Sequence, residues 1–208
     1  MARSKSSNQW LQRHVKDPFV RKARAEGYRS RAAYKLIEVN TKERFLVPGA
    51  KVVDLGGAPG GWAQVAAQKV APGGKVIAVD LLEIAPMSGV TLVRGDCREP
   101  AVQARLAEAL GGQKADAVLS DMSPNISGIA SADQARAAEL VQMAIGFCRS
   151  WLTPGGAVLV KVFQGEEFIG VLKEMKQVFR EVRTLKPAAS REASRETYLL
   201  ARGLKVIQ

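Results

Sequence analysis

The 208-residue chain is short of several residue types, and each shortage excludes something. It has two cysteines, Cys97 and Cys148, which form no CxxC pair, and one histidine, His14. That set is too small for a zinc site or a disulfide framework, so no metal is expected and the cysteines read as small apolar residues. No apolar run reaches the roughly 18 residues of a transmembrane candidate. The N-terminus is polar and basic, without the apolar stretch of a secretory signal. A soluble protein of the reducing cytoplasm, away from membranes, is expected. Acidic residues are also outnumbered: Asp+Glu is 20 against Lys+Arg 31, a net charge of +11. A surplus of this size suits a polyanion, either nucleic acid or an anionic membrane surface.

The hydrophobic fraction of 47% is enough for one packed core. The charge divides the chain into three parts. Residues 1–35 hold ten Lys/Arg and two Asp/Glu, a net of +8. Residues 36–175 hold thirteen and fifteen, a net of −2, and residues 176–208 hold eight and three, a net of +5. This describes a basic N-terminal extension over 1–30 and a single domain over 31–208, with a second basic segment at its end. A monomer is expected.

A basic amphipathic helix is predicted from Trp10 to Glu26, broken at Gly27. Ser30 is placed to cap a second helix carrying Ala33, Leu36 and Ile37. Beyond the Pro48-Gly49 turn, strands are predicted at 51–55, 75–81, 90–94, 115–120, 156–163, about 179–186 and 196–202. Helices are predicted at 61–70, 99–110, 132–152 and 166–178, with turns at Pro72-Gly73-Gly74 and Pro154-Gly155-Gly156. Strands alternating with helices mean an α/β, Rossmann-like fold with a mostly parallel seven-stranded sheet. The first five strands are nearly continuous apolar runs, as helices on both faces require.

Residues 54–62 read Asp-Leu-Gly-Gly-Ala-Pro-Gly-Gly-Trp between the first strand and a helix. Glycines at 56, 57, 60 and 61 let a ligand approach the backbone at the C-terminal edge of the sheet. The spacing misses the G-x-G-x-x-G of dinucleotide sites and matches the D-x-G-x-x-P-G-G-W of S-adenosylmethionine sites. Asp80 ends the second strand, where a carboxylate can take both ribose hydroxyls; Asp96 ends the third, within reach of an adenine amino group; Asp121 ends the fourth. Together with Asp54, four acids lie on one rim.

The segments DLGGAPGGW, SDMSPNISG, VKVFQGE, SRETYLLA and YRSRAAYKL closely resemble the FtsJ/RrmJ family over about Trp10 to Gly203. This is a family of S-adenosylmethionine-dependent ribosomal RNA 2′-O-ribose methyltransferases with a class I methyltransferase fold, whose last strand is antiparallel. The resemblance implies a Lys-Asp-Lys-Glu tetrad at Lys35, Asp121, Lys161 and Glu196, and cofactor contacts at Gly56, Gly60, Trp62, Asp80, Asp96 and Asp121. It implies that S-adenosylhomocysteine is the product. The implied substrate is a uridine in the peptidyl-transferase A-loop of 23S rRNA, within the 50S ribosomal subunit.

The residues agree with those roles. Lys161 lies inside an apolar strand, a costly place for an unpaired cation. A weakly acidic 2′-hydroxyl needs a base, and burial with a neighbouring cation suits a lysine to that task. Lys35 is expected to supply the cation, Glu196 to orient an amine, and Asp121 to balance the charge. The flanking cations Arg13, Lys16, Arg21, Lys22, Arg24, Arg29 and Arg31, with Lys186, Arg191 and Arg195, are expected to form one phosphate-binding surface around the site. Trp10, Tyr34 and Tyr198 are assigned to core packing, with base stacking as the alternative. Three other functions stay open: a tRNA 2′-O-methyltransferase, an NAD(P)-linked oxidoreductase, and a non-catalytic RNA-binding factor. The oxidoreductase lacks its glycine spacing and any Tyr-x-x-x-Lys; the binding factor has no need of an intact tetrad.

Overall fold

The computed structural model describes residues 17–125, 127–191 and 194–205. The predicted helix therefore lies partly outside the described residues, as do Trp10, Arg13, His14 and Lys16. Its described part is α1, Pro18–Ala25. Asp17 caps it by accepting a bond from the Phe19 amide at 3.0 Å, Pro18 supplies a preset first turn, and Lys22 and Arg24 sit in the last turn, facing the negative end of the dipole.

The second helix, α2, spans Ala33–Glu43. The N-cap is Ala32 with no side-chain cap, so the expected capping by Ser30 is not formed. Instead the Ser30 carbonyl accepts the Ala33 amide in a tight turn ahead of the helix. Arg44 ends α2 in the left-handed region, at φ 50°.

The remaining elements alternate: β1 Lys51–Leu55, α3 Gly61–Val70, β2 Lys75–Asp80, β3 Val90–Arg94, α4 Pro100–Leu110 and β4 Ala115–Ser120. They continue as α5 Ala130–Trp151, β5 Leu152–Phe163, α6 Glu166–Val178, β6 Phe179–Leu185 and β7 Glu196–Leu204. The seven strands form one sheet in the order β3-β2-β1-β4-β5-β7-β6. β7 is antiparallel to both neighbours, as expected, and β1 to β5 are mutually parallel.

The predicted turn at Pro154-Gly155-Gly156 lies inside β5 rather than before it. Between the register pairs Ala115–Leu152 and Ala117–Ala157, β4 advances two residues and β5 five. Pairing resumes after this bulge because Ala157 to Phe163 must stay in register with β4 and β7 to keep their apolar faces buried.

Period-2 alternation splits the core in two. Val53, Leu55, Ile77, Val79, Val118, Val158 and Val160 pack against α4, α5 and α6. Val52, Val76, Ala78, Ala117, Leu119, Leu159 and Leu200 pack against α2 and α3. Both faces are covered, which is why the strands read as unbroken apolar runs. Asp54, Asp80, Asp121, Lys161 and Tyr198 share the parity of the second set. They therefore emerge on the face of the sheet that α2 and α3 cover, and α2 carries Lys35.

Candidate active site

The switch from β1 to α3 forms the floor of the site. The Gly56 and Gly57 amides both donate to Val79 O, at 2.9 and 3.1 Å, folding the turn back over β2. Gly60 adopts φ 107°, which is strained for any residue with a Cβ. A Cβ there would also meet Met87 and Arg29. A Cβ at Gly56 would run into the Met122 side chain, next to Asp121.

Each predicted cofactor residue has a defined place. The Asp80 carboxylate accepts the Ala58 amide at 2.9 Å and the Leu82 amide at 2.8 Å, joining the glycine turn to the loop after β2. Asp96 is gripped by Arg98, whose Nε lies 2.9 and 3.1 Å from the two carboxylate oxygens. These bonds outweigh the opposing effect of burial and hold the carboxyl below the ordinary range. The Trp62 side chain is buried; its Nε1 donates to Ala32 O at 2.8 Å and its ring packs 5.7 Å from that of Tyr198. Trp62 thus fastens α3 to the start of α2 through its side chain, with its backbone in the first turn of α3.

The four tetrad residues come together as two ion pairs. Lys35 Nζ lies 2.7 Å from Glu196 Oε1, and Lys161 Nζ lies 3.0 Å from Asp121 Oδ1. Lys161 also donates to the Asp121 carbonyl at 2.6 Å. Both lysines are almost fully buried, Lys35 at 5% and Lys161 at 8% exposure. Two cations balanced by two carboxylates meet the condition for burying charge.

The pairs are joined by a residue assigned to packing from the sequence. Tyr198 accepts a bond from Lys35 Nζ at 3.0 Å and donates its hydroxyl to Asp121 Oδ1 at 2.7 Å. Glu196, Lys35, Tyr198, Asp121 and Lys161 are therefore one continuous chain of hydrogen bonds. The β5–β7 register sets this up, pairing Lys161 with Tyr198 and Phe163 with Glu196. Burial, reinforced by the charges of Asp121 and Glu196, pushes the Tyr198 phenol far above its ordinary range, so it stays a donor. Burial raises the Glu196 carboxyl, but the Lys35 charge and hydrogen bond, aided by Lys161, win and hold it below its ordinary value. A hydroxyl in an apolar strand, two residues from a tetrad acid, was the sequence signal for Tyr198.

Asp54 lies deeper, at 1% exposure, and its Oδ2 has no hydrogen-bond partner among the described residues. Burial, and next the charge of Asp121, drive its carboxyl well above the ordinary range.

The two basic segments do meet beside this network. Asp17, at the head of α1, lies 3.1 Å from both Arg31 Nε and Arg191 Nη2. Arg21, Lys22, Arg24, Lys186 and Arg195 remain exposed. Arg29 and Arg31 do not join them: Arg29 bonds backbone carbonyls, and Arg31 holds Asp17 and donates to Ala189 O at 2.5 Å. Tyr34 packs against Phe19 and Tyr28 at centroid distances of 5.5 and 5.6 Å, in keeping with its assignment to the core.

The chain is similar to known proteins over most of its length. Residues 28–204 match the model of the FtsJ-like methyltransferase family. A protein of Chromobacterium violaceum named ribosomal RNA large subunit methyltransferase E is 52% identical over 203 residues, covering 98% of this chain and 99% of that protein. Its namesake in Pseudomonas aeruginosa is 49% identical over 205 residues, covering 99% of each. The crystal structure of a putative ribosomal RNA methyltransferase of Plasmodium falciparum superposes with a TM-score of 0.76 at 31% identity, covering 85% of this chain and 98% of that one. Aeropyrum pernix fibrillarin, crystallised with natively bound S-adenosyl-L-methionine, shares the fold with a TM-score of 0.58 at 18% identity, covering 84% of this chain and 75% of that one.

Proposed function

Because the chain belongs to the FtsJ-like methyltransferase family, we propose that it moves a methyl group from S-adenosylmethionine to a ribose 2′-hydroxyl of large-subunit ribosomal RNA. The target we assign is a uridine in the A-loop of 23S rRNA, presented by the 50S subunit. The observation that carries the reading is the unbroken chain from Glu196 through Lys35, Tyr198 and Asp121 to Lys161, beside a glycine turn. The names of the relatives support ribosomal RNA as the substrate class.

The residues present fit the cofactor. The glycines keep the turn bare of side chains, so a ligand can approach its backbone, and a Cβ at Gly56 or Gly60 would push Met122 or Met87 out of place. Asp80 offers a carboxylate at the strand end for a ribose diol, Asp96 offers another for an adenine amino group, and Asp121 ties this rim to Lys161. The cofactor, when bound, supplies an activated methyl group on a sulfonium, an excellent leaving group.

The work left to the protein is positioning and proton removal. Lys161 Nζ is the base in this reading. It first gives up one ammonium proton to solvent; the neutral amine then presents its lone pair and takes the proton of the 2′-hydroxyl as that oxygen bonds to the methyl carbon. Asp121 holds Nζ in place through Oδ1 and its carbonyl. Lys35 contributes the second cation, and Glu196 and Tyr198 fix its ammonium by two bonds. The exposed cations of α1 and of residues 186–195 hold RNA phosphates on either side.

The test is transfer of labelled methyl to unmethylated large subunits, free 23S rRNA and tRNA, each offered separately. Label on a ribose 2′-oxygen of large subunits is expected. Lys161→Ala should lower turnover about 10²- to 10⁴-fold while calorimetry shows cofactor binding retained. Full activity of folded Lys161→Ala would overturn the base assignment, and label confined to tRNA would overturn the substrate.

A further inference from the structure

Arg29 lies in the turn between α1 and α2, among cations that the sequence assigns to phosphate binding. Its guanidinium is occupied otherwise. Nη1 donates to Ala85 O at 2.5 Å and Pro59 O at 3.4 Å, and Nη2 donates to Pro86 O at 2.7 Å. Pro59 belongs to the glycine turn; Ala85 and Pro86 belong to the loop between β2 and β3. The side-chain shaft runs along the turn, so that a Cβ at Gly60 would lie 3.1 Å from Arg29 Cδ.

These are the same two segments that Asp80 joins from the cleft side, through the Ala58 and Leu82 amides. The rim of the cleft thus has two cross-ties, an inner one at Asp80 and an outer one at Arg29. The inner carboxylate must also receive the ligand; the outer guanidinium has no such second duty. Its own backbone is anchored as well. The Arg29 amide donates to Gln64 Oε1 at 3.1 Å, and Gln64 Nε2 donates to Gly27 O at 2.8 Å, pinning the turn to α3. A planar fork can gather carbonyls from two segments, whereas a lysine offers one compact charge.

We infer that Arg29 is a positioning residue of the cofactor cleft and not an RNA phosphate ligand. It sets the spacing between the glycine turn and the 81–89 loop, and hence the fit of the nucleoside end of the cofactor. The inference rests on the cofactor reading given above.

Arg29→Lys separates the two roles because it keeps the charge and loses the fork. Three quantities are measured: the KM for S-adenosylmethionine, kcat at saturating cofactor, and the salt dependence of RNA binding. The expected result is a rise in cofactor KM of about tenfold, as for loss of a charged hydrogen-bond set. kcat should stay within about twofold and the salt slope should not change. Arg24→Ala, which removes an exposed cation of α1, should do the reverse: an unchanged cofactor KM and a salt slope lower by about one. An unchanged cofactor KM in Arg29→Lys, with Arg29→Ala lowering the salt slope, would overturn the inference. The cofactor reading is checked separately by calorimetry of the wild type and Asp80→Asn. Failure of the wild type to bind S-adenosylmethionine, or unaltered binding by Asp80→Asn, would overturn that reading and this inference with it.

Discussion

Lys161 on β5 stands directly opposite Tyr198 on β7, and both reach the same carboxylate, that of Asp121, at 3.0 and 2.7 Å. One acid therefore positions the proposed base and receives the hydroxyl that leads back to Lys35. The register of an antiparallel strand pair decides the geometry of the reacting centre.

Removing the hydroxyl alone should show what that link contributes. Tyr198→Phe keeps the ring packed on Trp62 but leaves Lys35 and Asp121 each one bond short. We expect a loss of about 1–3 kcal/mol in stability, read by denaturant unfolding, and a fall in kcat of about tenfold. A variant with unchanged kcat would show that the bridge is structural only.

Glu196 should make the protein sensitive to acid. Its carboxyl titrates below the ordinary range in the folded state, so the stability it contributes is present above the unfolded value and lost as pH falls through the folded one. Glu196→Gln should cost on the order of 3 kcal/mol at pH 7, because the buried Lys35 loses its counter-charge. The difference from wild type should shrink in acid. Unfolding titrations from pH 7 to pH 3 measure it.

Asp54 should act in the opposite sense. Its carboxyl is raised in the folded state, so folding retains a proton that the unfolded chain gives up, and stability falls as pH rises above the unfolded value. Asp54→Asn removes this titration. The variant should match wild type near pH 4 and gain on it by up to about 1.4 kcal/mol per pH unit until the raised value is reached. A constant offset across that window would contradict the buried, protonated acid.

RNA binding should depend steeply on salt. Each phosphate neutralised contributes roughly 0.7 to 0.9 to the slope of log affinity against log salt. Replacing Arg21 and Arg24 together by Ala should lower that slope by about one to two and leave cofactor binding untouched. An unchanged slope would remove α1 from the RNA surface.

Much of this molecule follows from local rules. The alternation of apolar residues on β1 to β5 sets two packed faces, the glycines at 56, 57, 60 and 61 set a turn that only small residues can make, and acids at successive strand ends define one rim. Lys161 stands out in the sequence because a cation within an apolar strand must find a counter-charge or take part in the chemistry. Three things were decided only by the tertiary structure. Tyr198 looked like any aromatic of a buried strand until the β5–β7 register put its hydroxyl between Lys35 and Asp121. The Pro154-Gly155-Gly156 segment carried the signal of a turn, and the sheet absorbed it as a bulge to keep the following residues paired. Arg29 and Arg31 resembled their exposed neighbours in sequence, yet backbone carbonyls and Asp17 claimed them. Charge and hydropathy are properties of a residue, legible one position at a time. The partner of a hydrogen bond is a property of two positions, and here they lie as far apart as 163 residues in Lys35 and Tyr198 and 174 in Asp17 and Arg191.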